Sequence, residues 1–126
     1  MIENQLTKNF TLTEFRCHDG TDVPWTLLEN AQKLADNLQV IRDEIGKPVH
    51  CVSVFRNRSY NTRIKGSRRS YHMKCMAADI KVKGMKASEV RAVVLQLIED
   101  GRILQGGVGS YARFTHYDIR ERKARW

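Results

Sequence analysis

The chain has 126 residues, 41% of them apolar, and its 22 Lys and Arg outnumber its 14 Asp and Glu to give a net charge of +8. That length suits one domain, residues 1–126, with a hydrophobic core of its own, and no window approaches the roughly 20 apolar residues of a membrane span. The excess of cations favours polyanions, either nucleic acid or anionic cell-wall polymers, but no helix-turn-helix, zinc-finger or RNA-binding signature accompanies it, so a specific nucleic-acid partner is not expected.

The opening residues Met1–Leu6 lack the basic stretch and apolar run of a secretory signal, which predicts a protein made in the cytoplasm. No linker, internal repeat or low-complexity tract divides the chain. Cys17, Cys51 and Cys75 cannot all pair within one chain, and their spacings match no Cys-rich metal module. Cys17 and Cys51 read as small buried residues in a reduced, cytosol-folded chain. The cations are spread along the chain, with local density at Arg63–Arg69 and Arg120–Arg125.

In chain order, Phe10, Leu12 and Phe15 form an arm that can pack on the core. Thr26 and Glu29 have the spacing of a capping box. Leu27, Ala31, Leu34, Leu38, Ile41 and Ile45 then recur at steps of three and four, so an amphipathic helix is expected over Thr26–Ile45. Gly46 and Pro48 end it in the usual order. Val49–Phe55 is short, β-branched and apolar, and reads as a buried strand. It runs into polar Arg56, at a strand end where functional side chains often stand. A short helix is expected near Tyr60–Ile64, and a loop over Gly66–Ser70.

From Met76 to Val82 the pattern alternates, with Ala78, Ile80 and Val82 on one face and Ala77, Asp79 and Lys81 on the other. A helix follows over Ala87–Glu99, its inward face carrying Val90, Val93, Val94, Leu97 and Ile98. Gly106–Gly109 reads as a turn, since no phosphate-loop pattern surrounds it. The last strand lies near Phe114–Arg120 and puts His116, Asp118 and Arg120 on one face, with Thr115, Tyr117 and Ile119 on the other. The expected fold is α+β, an antiparallel sheet with flanking helices.

Two imidazoles, His72 and His116, and one carboxylate, Asp79, form a common ligand set for a catalytic zinc that keeps a position open for water. If the Asp79 strand pairs antiparallel with the last strand, all three share a surface. Spacing alone leaves a second reading open, because single histidines are more often solvated or hydrogen-bonded, and His18 and His50 are read that way.

The segment Ser70-x-His72-x-x-Cys75-x-Ala77-x-Asp79 resembles the S-x-H-x-x-G-x-A-x-D signature of the zinc D-Ala-D-Ala carboxypeptidases. These are the M15 peptidases, which include phage endolysins and related murein peptidases. Gly106-Gly-Val-Gly-Ser-Tyr111, Phe114-Thr-His-Tyr-Asp-Ile-Arg120 and Arg125-Trp126 resemble the family's closing motifs. Phe10–Phe15 and Ser53–Arg56 with Asn61 also look familial, so the likeness runs over nearly the whole chain.

The resemblance implies a Hedgehog/DD-peptidase-like fold, a zinc cofactor, and His72, Asp79 and His116 as its ligands. It implies Arg56 as the arginine that contacts a substrate carboxylate or carbonyl, and Ser70 and Tyr111 as substrate-side residues. It points to peptidoglycan peptides as partners. Small size, positive charge and no visible export signal suit a monomeric phage or prophage lysin, released by a holin or carried on a virion, with the charge holding it on anionic cell-wall polymers. Two positions depart from the pattern. Cys75 replaces a glycine, and a tolerated small side chain is expected there rather than a fourth ligand. Arg113 stands where many members carry an acidic base, which leaves Asp118 either as a substitute base or as a carboxylate that orients a ligand imidazole or pairs with Arg120. Three readings follow from the sequence: a zinc peptidase of peptidoglycan, a non-catalytic wall-binding module on the same fold, and a basic nucleic-acid-binding protein supported only by charge.

Overall fold

The alternation at Ala77–Val82 sets the middle of the sheet. The computed structural model describes residues 4–126, and Met1, Ile2 and Glu3, half of the stretch read for a secretory signal, lie outside the described residues. Strands β1 (His50–Ser53), β2 (Ala77–Lys81), β3 (Gly107–Ser110), β4 (Thr115–Asp118) and β5 (Ala124–Arg125) are ordered β1-β2-β4-β3-β5. The first three pairings are antiparallel and β3–β5 is parallel. The α+β expectation therefore holds, with one parallel pair at the edge of a mostly antiparallel sheet.

Register divides the sheet into two chemical faces. Ala78, Tyr117 and Val108 lie in one row across β2, β4 and β3, and all three are fully buried. They share a core with Leu34, Leu38 and Ile41 of helix α1 (Leu28–Ile45) and with Val90, Val94 and Leu97 of helix α3 (Ala87–Glu99). The neighbouring rows, Ala77–Asp118–Gly107 and Asp79–His116–Gly109, face the other way. Phe10 and Phe15 close the core as the expected arm, and Phe15 is tied down where its carbonyl accepts from the Phe55 N–H at 2.9 Å.

Several boundaries differ from the sequence reading. Thr26 does not cap α1. It sits inside a 3₁₀ turn, Trp25–Leu27, and Leu27 enters the helix without a side-chain cap. The C-terminus is as expected, with Gly46 at φ 73° and its N–H on the Arg42 carbonyl. Helix α2 (Arg58–Arg63) begins two residues earlier than read, because the Asn57 side chain accepts from the Tyr60 N–H at 2.7 Å and starts it there. Gly106–Gly109, read as a turn, is largely strand β3. Strand β5 was not foreseen, since two residues carry no periodicity to detect. Among the described residues no helix is long and apolar enough to cross a membrane. The three cysteines are free thiols, Cys17 and Cys75 buried and Cys51 half-buried.

Candidate metal centre and its cleft

The β2–β4 register sets Asp79 directly opposite His116 on the polar face. His72 arrives from a 3₁₀ turn, Tyr71–Lys74, that precedes β2. Ser70 caps this turn, its hydroxyl accepting from the His72 N–H at 3.2 Å. The His72 ring is held by Nδ1, which donates to the Val54 carbonyl at 2.7 Å. That contact fixes the tautomer and leaves Nε2 as a lone-pair donor, 3.4 Å from Asp79 Oδ2. His116 Nδ1 lies 3.1 Å from Asp79 Oδ1. Ligand atoms of His72, Asp79 and His116 all lie within 4.8 Å of one another, and all three residues are buried. Two imidazole nitrogens and a carboxylate at such spacing fit a divalent transition-metal ion, zinc being the usual occupant of this donor set.

Behind the cluster stands Asp118, with no solvent exposure. Its Oδ2 accepts from His116 Nε2 at 2.7 Å and from Arg120 Nη2 at 2.7 Å. Its Oδ1 accepts from the Gly107 N–H, the Arg120 N–H and Arg120 Nε at 2.9, 3.1 and 2.8 Å. Both oxygens are thus saturated. The arrangement is carboxylate–imidazole–ligand site, in which the outer carboxylate sets which ring nitrogen is free. The Arg120 guanidinium is in turn stacked over the Tyr71 ring at 4.4 Å and the Trp126 ring at 5.2 Å.

Burial alone would raise both carboxyls. For Asp79 the hydrogen bonds and charges of His116 and His72 outweigh it, and for Asp118 those of His116 and Arg120 do, so both are held well below the usual carboxylate range. Burial pulls the His116 imidazole down, but Asp118 and Asp79 pull it up further, and the net shift is upward.

The cluster opens into a cleft of about 1420 Å³. Arg56 lines it, with Nη2 3.3 Å from Asp79 Oδ2 and Nε donating to Ser53 Oγ at 3.3 Å. Ser70 and Tyr111 also line it. Tyr111 stacks on Phe114 with ring centroids 4.5 Å apart, and its hydroxyl accepts from Trp126 Nε1 at 2.9 Å. The Trp126 ring lies 4.9 Å from that of His116. Asp79 is the one carboxylate that lines the cleft among the described residues, and Arg113 is exposed outside it.

Cys75 takes the left-handed conformation, φ 54°, that ends the 3₁₀ turn, which explains why a glycine suits this position. It is fully buried and not among the clustered ligands, and burial pushes its thiol up to about 12. His18 is hydrogen-bonded to the Val52 carbonyl and the Tyr60 hydroxyl, and His50 is exposed, so neither joins the cluster.

The sequence reading did not find the support around the cluster. Arg120 shared the face of His116 by period two, but its grip on Asp118 was only one of two options for that carboxylate. The role of Trp126 was invisible, although glycines at alternate positions 107 and 109 are a signal that something large crosses that strand. A Cβ on Gly109 would stand 2.6 Å from Trp126 Cε2, and one on Gly107 would stand 2.5 Å from Asp118 Oδ2.

Compared with known families, residues 5–118 match the model described as Peptidase M15. A search of curated proteins gives no match.

Proposed function

The chain belongs to the M15 peptidase family, and from that premise we propose that it is a zinc-dependent peptidase that hydrolyses peptide bonds in bacterial peptidoglycan stem peptides or cross-links. The observation that carries the proposal is the convergence of His72, Asp79 and His116, from three separate elements, at the base of an open cleft. These three residues would hold the zinc. Zinc held there would supply a Lewis acid for a scissile carbonyl and a water with its pKa lowered toward about 7.

The chain's own groups do the rest. The Val54 carbonyl and Asp118 hold the two imidazoles in their ligand tautomers, so that no ring must reorient. Arg56 offers paired N–H donors to a substrate carboxylate or a developing oxyanion. Ser70 fixes the turn that presents His72. The Trp126 ring covers one side of His116 and is held by the Tyr111 hydroxyl, with Tyr111 in turn stacked on Phe114. Asp118 acts by positioning rather than as a base, because its oxygens are already engaged. The expected setting is a phage or prophage lysin acting as a monomer on the anionic wall.

The test is digestion of purified sacculi, with mass analysis of the products to identify the bond cut. His116→Ala, or removal of metal by chelation, should abolish cleavage while the protein still melts cooperatively. Undiminished cleavage by a metal-free sample would refute the proposal. A second reading, a wall-binding module without turnover, is favoured by the scarcity of carboxylates in the cleft. Wall retention with no released product from zinc-loaded protein would establish it instead.

A further inference from the structure

The net charge of this protein has an address. From Lys47 to Ala78 the chain carries eight cations, Lys47, Arg56, Arg58, Arg63, Lys65, Arg68, Arg69 and Lys74, and not one Asp or Glu. The remainder holds 22 minus 8, or 14, Lys and Arg against all 14 acids, and is therefore neutral. The whole excess of +8 lies in this one segment. Five of its cations, Arg58, Lys65, Arg68, Arg69 and Lys74, line the cleft that contains the cluster, and all five are exposed. Among the described residues none of the five makes a salt bridge, whereas the other two cations of the cleft, Arg56 and Arg120, face Asp79 and Asp118.

This lip is built rather than incidental. Asn61, buried under the loop, donates through Nδ2 to the Ser67 carbonyl at 2.8 Å, and its backbone carbonyl accepts from the Gly66 N–H at 2.9 Å. The loop sits so tightly on Asn61 that a Cβ on Gly66 would meet Asn61 Oδ1 at 2.1 Å. The loop backbone is thereby held, with Lys65 on one side of Gly66 and Arg68 and Arg69 on the other, all three lining the mouth. A cleft lined with charges of one sign focuses its field on an incoming ligand of the other.

We propose that the lip is a recognition site for carboxylates on the substrate itself, so that the peptide this cleft takes carries several acidic groups beside the bond presented to the cluster. This rests on the peptidase reading and extends it to substrate class. A distant wall polymer would be served equally by cations anywhere on the surface. The placement of the excess beside the cluster instead favours a ligand that enters the cleft.

The experiment uses the zinc-loaded protein and two labelled probes, tri-D-glutamate and tri-D-glutamine, with binding followed by fluorescence anisotropy from about 0.05 to about 0.5 M salt. The acidic probe should bind at least about tenfold tighter at low salt and lose that margin at high salt. The variant Lys65→Gln/Arg68→Gln/Arg69→Gln should lose the margin at all salt concentrations. A control of equal charge loss outside the cleft, Arg113→Gln/Arg122→Gln/Lys123→Gln, should keep it. Equal effects of the two triple variants, or an acidic probe that binds no better than its amide twin, would overturn the proposal. So would inorganic polyphosphate binding that the lip variant weakens while tri-D-glutamate does not bind. Probe discrimination without any turnover on sacculi would leave the lip standing and remove the peptidase reading. Turnover without discrimination would do the reverse.

Discussion

His116 Nε2 lies 2.7 Å from Asp118 Oδ2, while Nδ1 of the same ring is turned to Asp79. One imidazole thus bridges a carboxylate that faces the cleft and another that never meets solvent. The buried one decides which nitrogen is available. Asp118→Asn keeps the shape but removes the charge that orients the ring and raises its basicity. Zinc affinity should fall by about 10- to 100-fold, read by competition against a chromophoric chelator. Unchanged affinity would mean that packing alone holds the ring.

Arg120 is what permits a charged Asp118 in that position. Asp118 has no exposure, and Arg120 meets it with two nitrogens while its guanidinium packs on the Tyr71 and Trp126 rings and stays partly exposed. Removing one partner of a buried pair leaves an uncompensated charge, at about 3–5 kcal/mol when both are buried. Because the Arg120 side chain is 22% exposed, about 2–3 kcal/mol is expected for Arg120→Met. Arg120→Lys should fall between, keeping the charge but losing the two-pronged contact and the stacking on Tyr71. Denaturant melts rank the three proteins.

The parts legible in the sequence were those with periodicity. Helix α3 was read with its bounds intact, and period two put Asp79 and His116 on polar faces whose pairing then brought them together. The cluster was legible because its members sit one per element in an ordered motif. What escaped was determined by contacts between distant residues. Thr26 had the spacing of a cap, but the 3₁₀ turn placed it one residue inside. Gly106–Gly109 looked like a turn because glycine usually signals one, whereas here Asp118, Arg120 and Trp126 fill the space that side chains on that strand would need. No local pattern could report the tertiary neighbours that make glycine necessary.

Cys75 tests two opposed terms at one position. A side chain at φ 54° costs about 1–2 kcal/mol relative to glycine. Its burial contributes about 1 kcal/mol as a small apolar group. Cys75→Gly should therefore change stability by less than about 1 kcal/mol, despite altering a fully buried residue. The thiol itself, pushed up to about 12 by burial, stays protonated at pH 8 and should resist alkylation in the folded protein. Mass spectrometry before and after denaturation checks this. Rapid native-state labelling at Cys75 would show that its turn opens.

Gly109 and Trp126 should prove coupled. The Trp126 backbone pairs with β3, Ser110 N–H donating to its carbonyl at 2.7 Å and its own N–H reaching the Val108 carbonyl at 3.2 Å. Its ring then lies across Gly109, where an added Cβ would stand 2.6–2.8 Å from three ring atoms. Gly109→Ala must displace the indole, and overpacking of this kind costs about 1–3 kcal/mol. With the indole removed in Trp126→Ala, the same methyl has room. The double variant should be less destabilised than the sum of the singles, by about 1 kcal/mol or more. Gly106→Ala offers the contrast, since its Cβ would meet the Asp118 backbone carbonyl at 1.7 Å with φ at 43°, and Trp126→Ala should not relieve it. A double-mutant cycle by thermal or denaturant melting resolves both cases, and strict additivity at Gly109 would show that the indole is not held against that strand.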